Sequence, residues 1–271
     1  MRRKAAVPAQ AVAYISGYWI PAFAGMTLLS SVALAAPTSE LKDTGVQTFK
    51  KESCVSEPDA FFDECTCEVQ IKYHVIGGQD EVNKVLAPDA DLRSYCSGIF
   101  QVSSDEKQNA DAWKPAEKTQ GDTSVYQFTS VQEITYLSDD WLGVLTQDYV
   151  YSGGAHGNTG LSSALYDLKA HAAVPYTQVI NIEAVAAANA AIQQQLDAKK
   201  DDVFEEFLHV KEPSYIKADG SCEACIYVLR EDGLHAMFQQ YAVAPYSSGV
   251  IDVKLPMEFV KSPWNATQKG N

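Results

Sequence analysis

The sequence predicts an α+β fold, an antiparallel sheet or sheets with helices packed on one face. Three observations carry this. Two-residue alternation of apolar and polar side chains marks strands before residue 170. An alanine-rich run near residues 182–196 has helix composition. More strands follow it, so strands and helix are segregated rather than interleaved.

Residues 36–53 are polar and read as a loose leader. Cys67, Val69, Ile71, Tyr73 and Val75 then alternate with mostly polar neighbours, and Gly77-Gly78 ends that strand. Residues 80–97 have helical character, with Val82, Leu86, Leu92 and Cys96 on inner faces. Residues 103–121 are charged, turn-rich and read as an exposed loop. Strands are predicted over Ser124–Tyr136, Trp141–Tyr151 and Leu161–Leu168, forming an antiparallel meander. Asn181 is placed to cap a helix that starts at Ile182, with Glu183 in its first turn. Phe204, Phe207 and Leu208 continue the helical stripe. Ile226–Arg230 and Leu234–Tyr241 flank Glu231-Asp232-Gly233, a hairpin signal, and Val250–Leu255 is a last strand closed by Pro256.

The amino terminus reads as a secretory signal over residues 1–35. Met1-Arg2-Arg3-Lys4 is basic, an apolar stretch follows, and Ala33-Leu34-Ala35 has the small-x-small pattern of a cleavage site. Pro8, Ser16, Gly17 and Pro21 interrupt the apolar stretch, which argues against a retained membrane span. Gly17–Thr27 departs from an ordinary signal core and resembles read-through of a bacterial intergenic repeat. That leaves the translation start open between Met1 and Met26.

Removing Arg2, Arg3 and Lys4 with the signal leaves 18 of 21 cationic side chains against all 35 acidic ones, a net charge of −17. No basic cluster is evident, which excludes nucleic acid as an expected partner. An acidic chain can attract a basic protein or a cation. The six cysteines are Cys54, Cys65, Cys67, Cys96, Cys222 and Cys225. An even count in an exported chain favours disulfides. Connectivity does not follow from sequence; the expected pairing is Cys222 with Cys225 and the other four among themselves. The expected localisation is periplasmic or otherwise exported.

The most distinctive segment is Tyr151-Ser152-Gly153-Gly154-Ala155-His156-Gly157-Asn158. Its glycines allow a tight turn that leaves His156 near the surface, where it could serve as a general base or a ligand contact. The structural alternative is a strand-to-strand turn whose His and Asn bond the backbone. Cys222-Glu223-Ala224-Cys225 has redox spacing, yet strand-like Ile226-Tyr227-Val228-Leu229 follows it, which favours a structural disulfide over a thiol oxidoreductase. Cys65, Cys67, Cys222 and Cys225 could hold zinc in a reducing setting, and Asp89, Asp91, Asp139 and Asp140 lack a calcium-loop pattern. No cofactor or metal is expected. Asn265-Ala266-Thr267 matches a glycosylation sequon.

Several segments together resemble the RsiV-like ectodomain family, typified by a lysozyme-sensing anti-sigma factor, with a similar module beside peptidoglycan deacetylases. They are Val69–Tyr73 running into Ile76-Gly77-Gly78, then Asn83, Tyr151–Gly157 and Leu165-Tyr166-Asp167-Leu168. Phe238–Tyr246, Gly249 and Val253-Lys254-Leu255-Pro256 complete the set. The resemblance divides the chain into an N-terminal module at 54–160, a C-terminal module at 161–262 and a tail at 263–271. It implies a non-catalytic binding module for lysozyme or a peptidoglycan-linked partner, without the sensor's cytoplasmic segment or the deacetylase's catalytic domain. Tyr151, His156, Asn158, Pro245 and Tyr246 are the candidate contacts. The rival expectation is a cell-envelope hydrolase that uses His156 with a nearby acid.

Overall fold

The computed structural model describes residues 37–51, 65–96, 124–152 and 156–261. The signal, the loop at 103–121, Cys54 and the tail sequon therefore lie outside the described residues.

Among the described residues the strands make two sheets. The first contains β1 (Ser39–Lys51), β2 (Cys65–Ile76), β3 (Ser124–Leu137), β4 (Trp141–Tyr151), β5 (Asn158–Asp167) and β6 (Ala172–Ala173), side by side in chain order. Its pairs are antiparallel except β2 with β3, which run parallel. A parallel pair needs a crossover. The chain between β2 and β3 includes helix α1 (Asp80–Leu86).

β1 corrects the reading of residues 36–53 as a loose leader. Residues 39–51 form an edge strand paired with β2 along its length. The alternation is hidden by a bulge between Asp43 and Val46, where Gly45 adopts φ +79° and its N–H donates to Asp43 Oδ1 at 2.8 Å. Phe49 packs toward the core, while Leu41 and Val46 stay exposed. A bulge and charged side chains also make the edge a poor template for further pairing.

Helix α1 buries Val82 and Leu86 against Ile76, Leu142, Val144, Tyr166 and Leu168. It stops because Ala87 precedes Pro88 and is extended, as a residue before proline must be. A further helical turn at 93–96 brings Leu92 and Cys96 against Cys67, Val69, Ile71 and Tyr126. Cys67 and Cys96 form a disulfide there, across 29 residues.

The second half begins with a one-turn helix, α2 (Tyr176–Val179). Asn181 then caps as expected: its Oδ1 accepts from the Glu183 N–H at 3.2 Å. After a 3-10 turn, helix α3 (Val185–Ala198) buries Ala188, Ile192 and Leu196, each four residues on from the last. Phe204, Phe207 and Leu208 do not extend that helix, contrary to expectation. The chain turns at residues 199–202, and the Phe204 N–H donates to the Val243 carbonyl at 2.9 Å. That tertiary contact replaces a helical one.

β7 (Cys225–Arg230) and β8 (Gly233–Phe238) form the predicted hairpin about Glu231-Asp232, and β9 (Ile251–Lys254) completes a three-stranded sheet. Cys222 and Cys225 are bonded to each other. With Cys67 also oxidised, the conceivable zinc set is not assembled.

β7 lies across β3, β4 and β5. Leu145 and Leu161 pack there on Val228 and Met237. Full burial stabilises each such side chain by roughly 1.5–3 kcal/mol. Polar groups pin the seam: the Ser163 hydroxyl donates to the Tyr227 carbonyl, and the Leu229 N–H donates to Tyr176 Oη at 3.3 Å. Burial pushes the Tyr176 hydroxyl pKa up to about 12, so it remains a neutral phenol.

The Cys67–Cys96 link yields a test. Replacing both residues with alanine should lower unfolding stability by about 3–4 kcal/mol in the chain-entropy account of a loop this long. Urea denaturation of the double variant would measure it, and an unchanged midpoint would refute a stabilising role.

Candidate functional site

Two connections, far apart in sequence, meet at the surface. The first joins β4 to β5. Tyr151 closes β4 opposite Gln127 and is half-buried, and Asn158 opens β5 opposite Val150 with an exposed side chain. Gly157 lies between exposed His156 and Asn158. A Cβ at Gly157 would stand 2.5 Å from both the Tyr149 ring and the Val150 carbonyl oxygen. Only glycine permits that approach. The backbone is thus drawn onto β4 while His156 is left outside.

His156 Nδ1 lies 3.0 Å from the Gly157 carbonyl oxygen. A carbonyl only accepts, so Nδ1 carries a proton and, in the neutral ring, Nε2 is the acceptor.

The second connection runs from β8 to β9. Val243 and Ala244 are buried and anchor it. Gln239 ties it to β5: its Oε1 accepts from the Leu161 N–H at 3.2 Å. The Ser248 hydroxyl donates to the Asp202 carbonyl at 2.8 Å. Pro245, at φ −65°, sets the entry to the 3-10 turn Tyr246–Ser248.

These anchors bring Tyr246 onto His156. The two rings stack with centroids 4.1 Å apart and planes inclined by 23°. Tyr241 adds a third ring, 5.8 Å from Tyr246. It is 55% exposed and sits at φ +66°, a conformation costly for a bulky side chain. Sequence reasoning singled out His156 and Tyr246 separately and missed Tyr241 as a surface ring. Its left-handed backbone has no local sequence signature.

The acid expected beside His156 is not among its described contacts. Among the described residues, carboxylates lie against the rings of His209 and His235. Asp89 and Asp91 each accept a backbone N–H two residues on, and Asp140 pairs with Lys169. Among the described residues no group of His, Cys, Asp and Glu is arranged to hold a metal, and no helix is long and apolar enough to cross a membrane.

Comparison with known proteins divides the chain at this site. Residues 62–159, which include His156, match a family model described as Deacetylase PdaC. Residues 178–258, which include Tyr241 and Tyr246, match one described as a protein of unknown function (DUF3298). The chain joins a PdaC-like segment to a DUF3298-like segment. No curated protein matches the chain. A crystal structure of a DUF3298 family member from Bacteroides fragilis NCTC 9343 matches with a TM-score of 0.55 and 15% identity, over 87% of this chain and 99% of that one. A DUF3298 family protein from Pseudomonas aeruginosa PAO1 matches with a TM-score of 0.50 and 15% identity, over 84% and 96%. At that identity the likeness concerns the fold. The His156–Tyr246 stack thus links the PdaC-like segment to the DUF3298-like segment.

Gly157→Ala tests the local geometry. The added methyl meets backbone and ring, so the variant should lose about 1–3 kcal/mol in urea unfolding. Wild-type stability would show that the turn does not need the close approach.

Proposed function

We propose that this chain is an exported, periplasmic, non-catalytic binding module of the RsiV-like kind. It is built from two modules, 54–160 and 161–262. Its contact surface is the ring cluster His156, Tyr246 and Tyr241, flanked by Tyr151, Asn158 and Pro245. Its partner is lysozyme or a peptidoglycan-linked component of the envelope.

The observation that carries this reading is the stacked pair at 4.1 Å with an exposed third ring. Interface anchors are enriched in aromatic side chains held on rigid backbone. Here Gly157, Gln239 and Pro245 supply that rigidity. The acidity of the chain after residue 35 supports a basic protein as partner, because opposite charge speeds encounter. The two disulfides among the described residues support an oxidising compartment.

The test is a binding titration of the oxidised chain from Ala36, at low salt, against lysozyme and against purified peptidoglycan. Binding to one of them, weakened tenfold or more by Tyr246→Ala, supports the proposal; tenfold corresponds to about 1.4 kcal/mol. No binding to either ends it. Turnover of a cell-wall substrate that vanishes in His156→Ala would replace it with a hydrolase.

A further inference from the structure

His235 lies on β8, away from the ring cluster, and is 9% exposed. Both of its ring nitrogens face carboxylates. Nδ1 lies 2.7 Å from Asp252 Oδ1 on β9, and Nε2 lies 2.9 Å from Asp232 Oδ1 in the β7–β8 turn. An ionised carboxylate only accepts, and a neutral imidazole has one donor. Satisfying both contacts therefore requires the doubly protonated ring.

The surrounding charges extend the arrangement. Lys254 Nζ stands 3.1 Å from Asp232 Oδ2. Arg230, on β7, lies 3.6 Å from Asp252 and 3.6 Å from Glu133 of β3, in the other sheet. Lys199, just beyond α3, donates to the Asp252 carbonyl at 3.5 Å.

We propose that His235 is a proton-held clasp: as an imidazolium it fastens the Glu231-Asp232 turn to β9, and it releases that turn when it loses its proton as pH rises. On deprotonation one donor survives and serves the shorter contact to Asp252. The other nitrogen turns a lone pair toward Asp232, which keeps Lys254 but repels the ring. Arg230, which faces both Asp252 and Glu133, joins the clasp to β3 of the other sheet.

Electrostatics agree with the geometry. Burial alone would lower the His235 pKa, but the hydrogen bonds and charges of Asp252 and Asp232 outweigh it and hold the pKa above the ordinary histidine value. A raised folded value means that the clasp's contribution is whole below the ordinary value and is lost as pH rises through the folded one. Asp232 moves the other way. Burial raises its pKa, but Lys254 and His235 together hold it below the usual carboxylate range. Its contribution is present above that range and is lost only as pH falls through the depressed value. The clasp is thus closed between the depressed Asp232 value and the raised His235 value.

The experiment is a pH titration of histidine ring nitrogens by NMR in the full oxidised chain, with His235→Gln used to assign the signal. Both His235 nitrogens should be protonated below the midpoint, and that midpoint should lie above the ordinary histidine value of 6.5. Asp252→Asn and the more exposed Asp232→Asn should each lower that midpoint. Amide exchange of the β7–β8 turn is then compared between wild type and His235→Gln at each pH. The wild-type advantage should fall as pH passes the midpoint, by about tenfold for each unit by which the midpoint is raised. A midpoint at or below the ordinary histidine value, or an advantage that stays flat with pH, overturns the proposal. Should His235→Gln not fold, the same comparison with Asp232→Asn decides it.

Discussion

Leu145 and Leu161, on the inner face of the six-stranded sheet, close against Val228 and Met237 of the second sheet. Most of the molecule's arrangement depends on this contact. It sets β7 across β3, β4 and β5. The Ser163 hydroxyl on the Tyr227 carbonyl and Gln239 on the Leu161 backbone then fix where β8 ends. Polar groups buried there must find partners, so the seam tolerates one alignment of the sheets. Apolar packing supplies the energy, and the hydrogen bonds select the register.

The surface site is a consequence of that alignment. His156 is delivered by the β4–β5 connection and Tyr246 by the β8–β9 connection. Neither segment alone makes the stack. The PdaC-like match contains one ring and the DUF3298 match the others. A composite surface of this kind exists only while the seam holds. This gives a reason for the rigid features around it: glycine against Tyr149, proline before Tyr246, and a left-handed Tyr241 whose N–H donates to the Ala244 carbonyl at 3.0 Å.

Much of the fold was legible in the sequence because its signals are local. β3, β4 and the β7–β8 hairpin follow from alternation and turn residues, and the Asn181 cap from its side chain. The Cys222–Cys225 bond matches the expected pairing, although sequence alone does not give connectivity. Features that depend on distant partners were not legible. β1 is polar and bulged, and only β2 makes it a strand. The parallel pairing of β2 with β3 leaves no mark on either strand. Phe204 exchanges a helical position for a bond to Val243. Tyr151, His156, Asn158, Pro245 and Tyr246 were readable as separate candidates. The stack between residues 156 and 246 was not, because no short-range pattern encodes it.

The central claim is that seam packing brings the two connections together into one aromatic surface. NMR of the His156 ring tests it most directly. Stacking at 4.1 Å predicts contacts between the His156 and Tyr246 ring protons, with an upfield His156 signal that returns to its unstacked position in Tyr246→Leu. An unshifted His156 signal without those contacts, in a folded chain, would contradict the account.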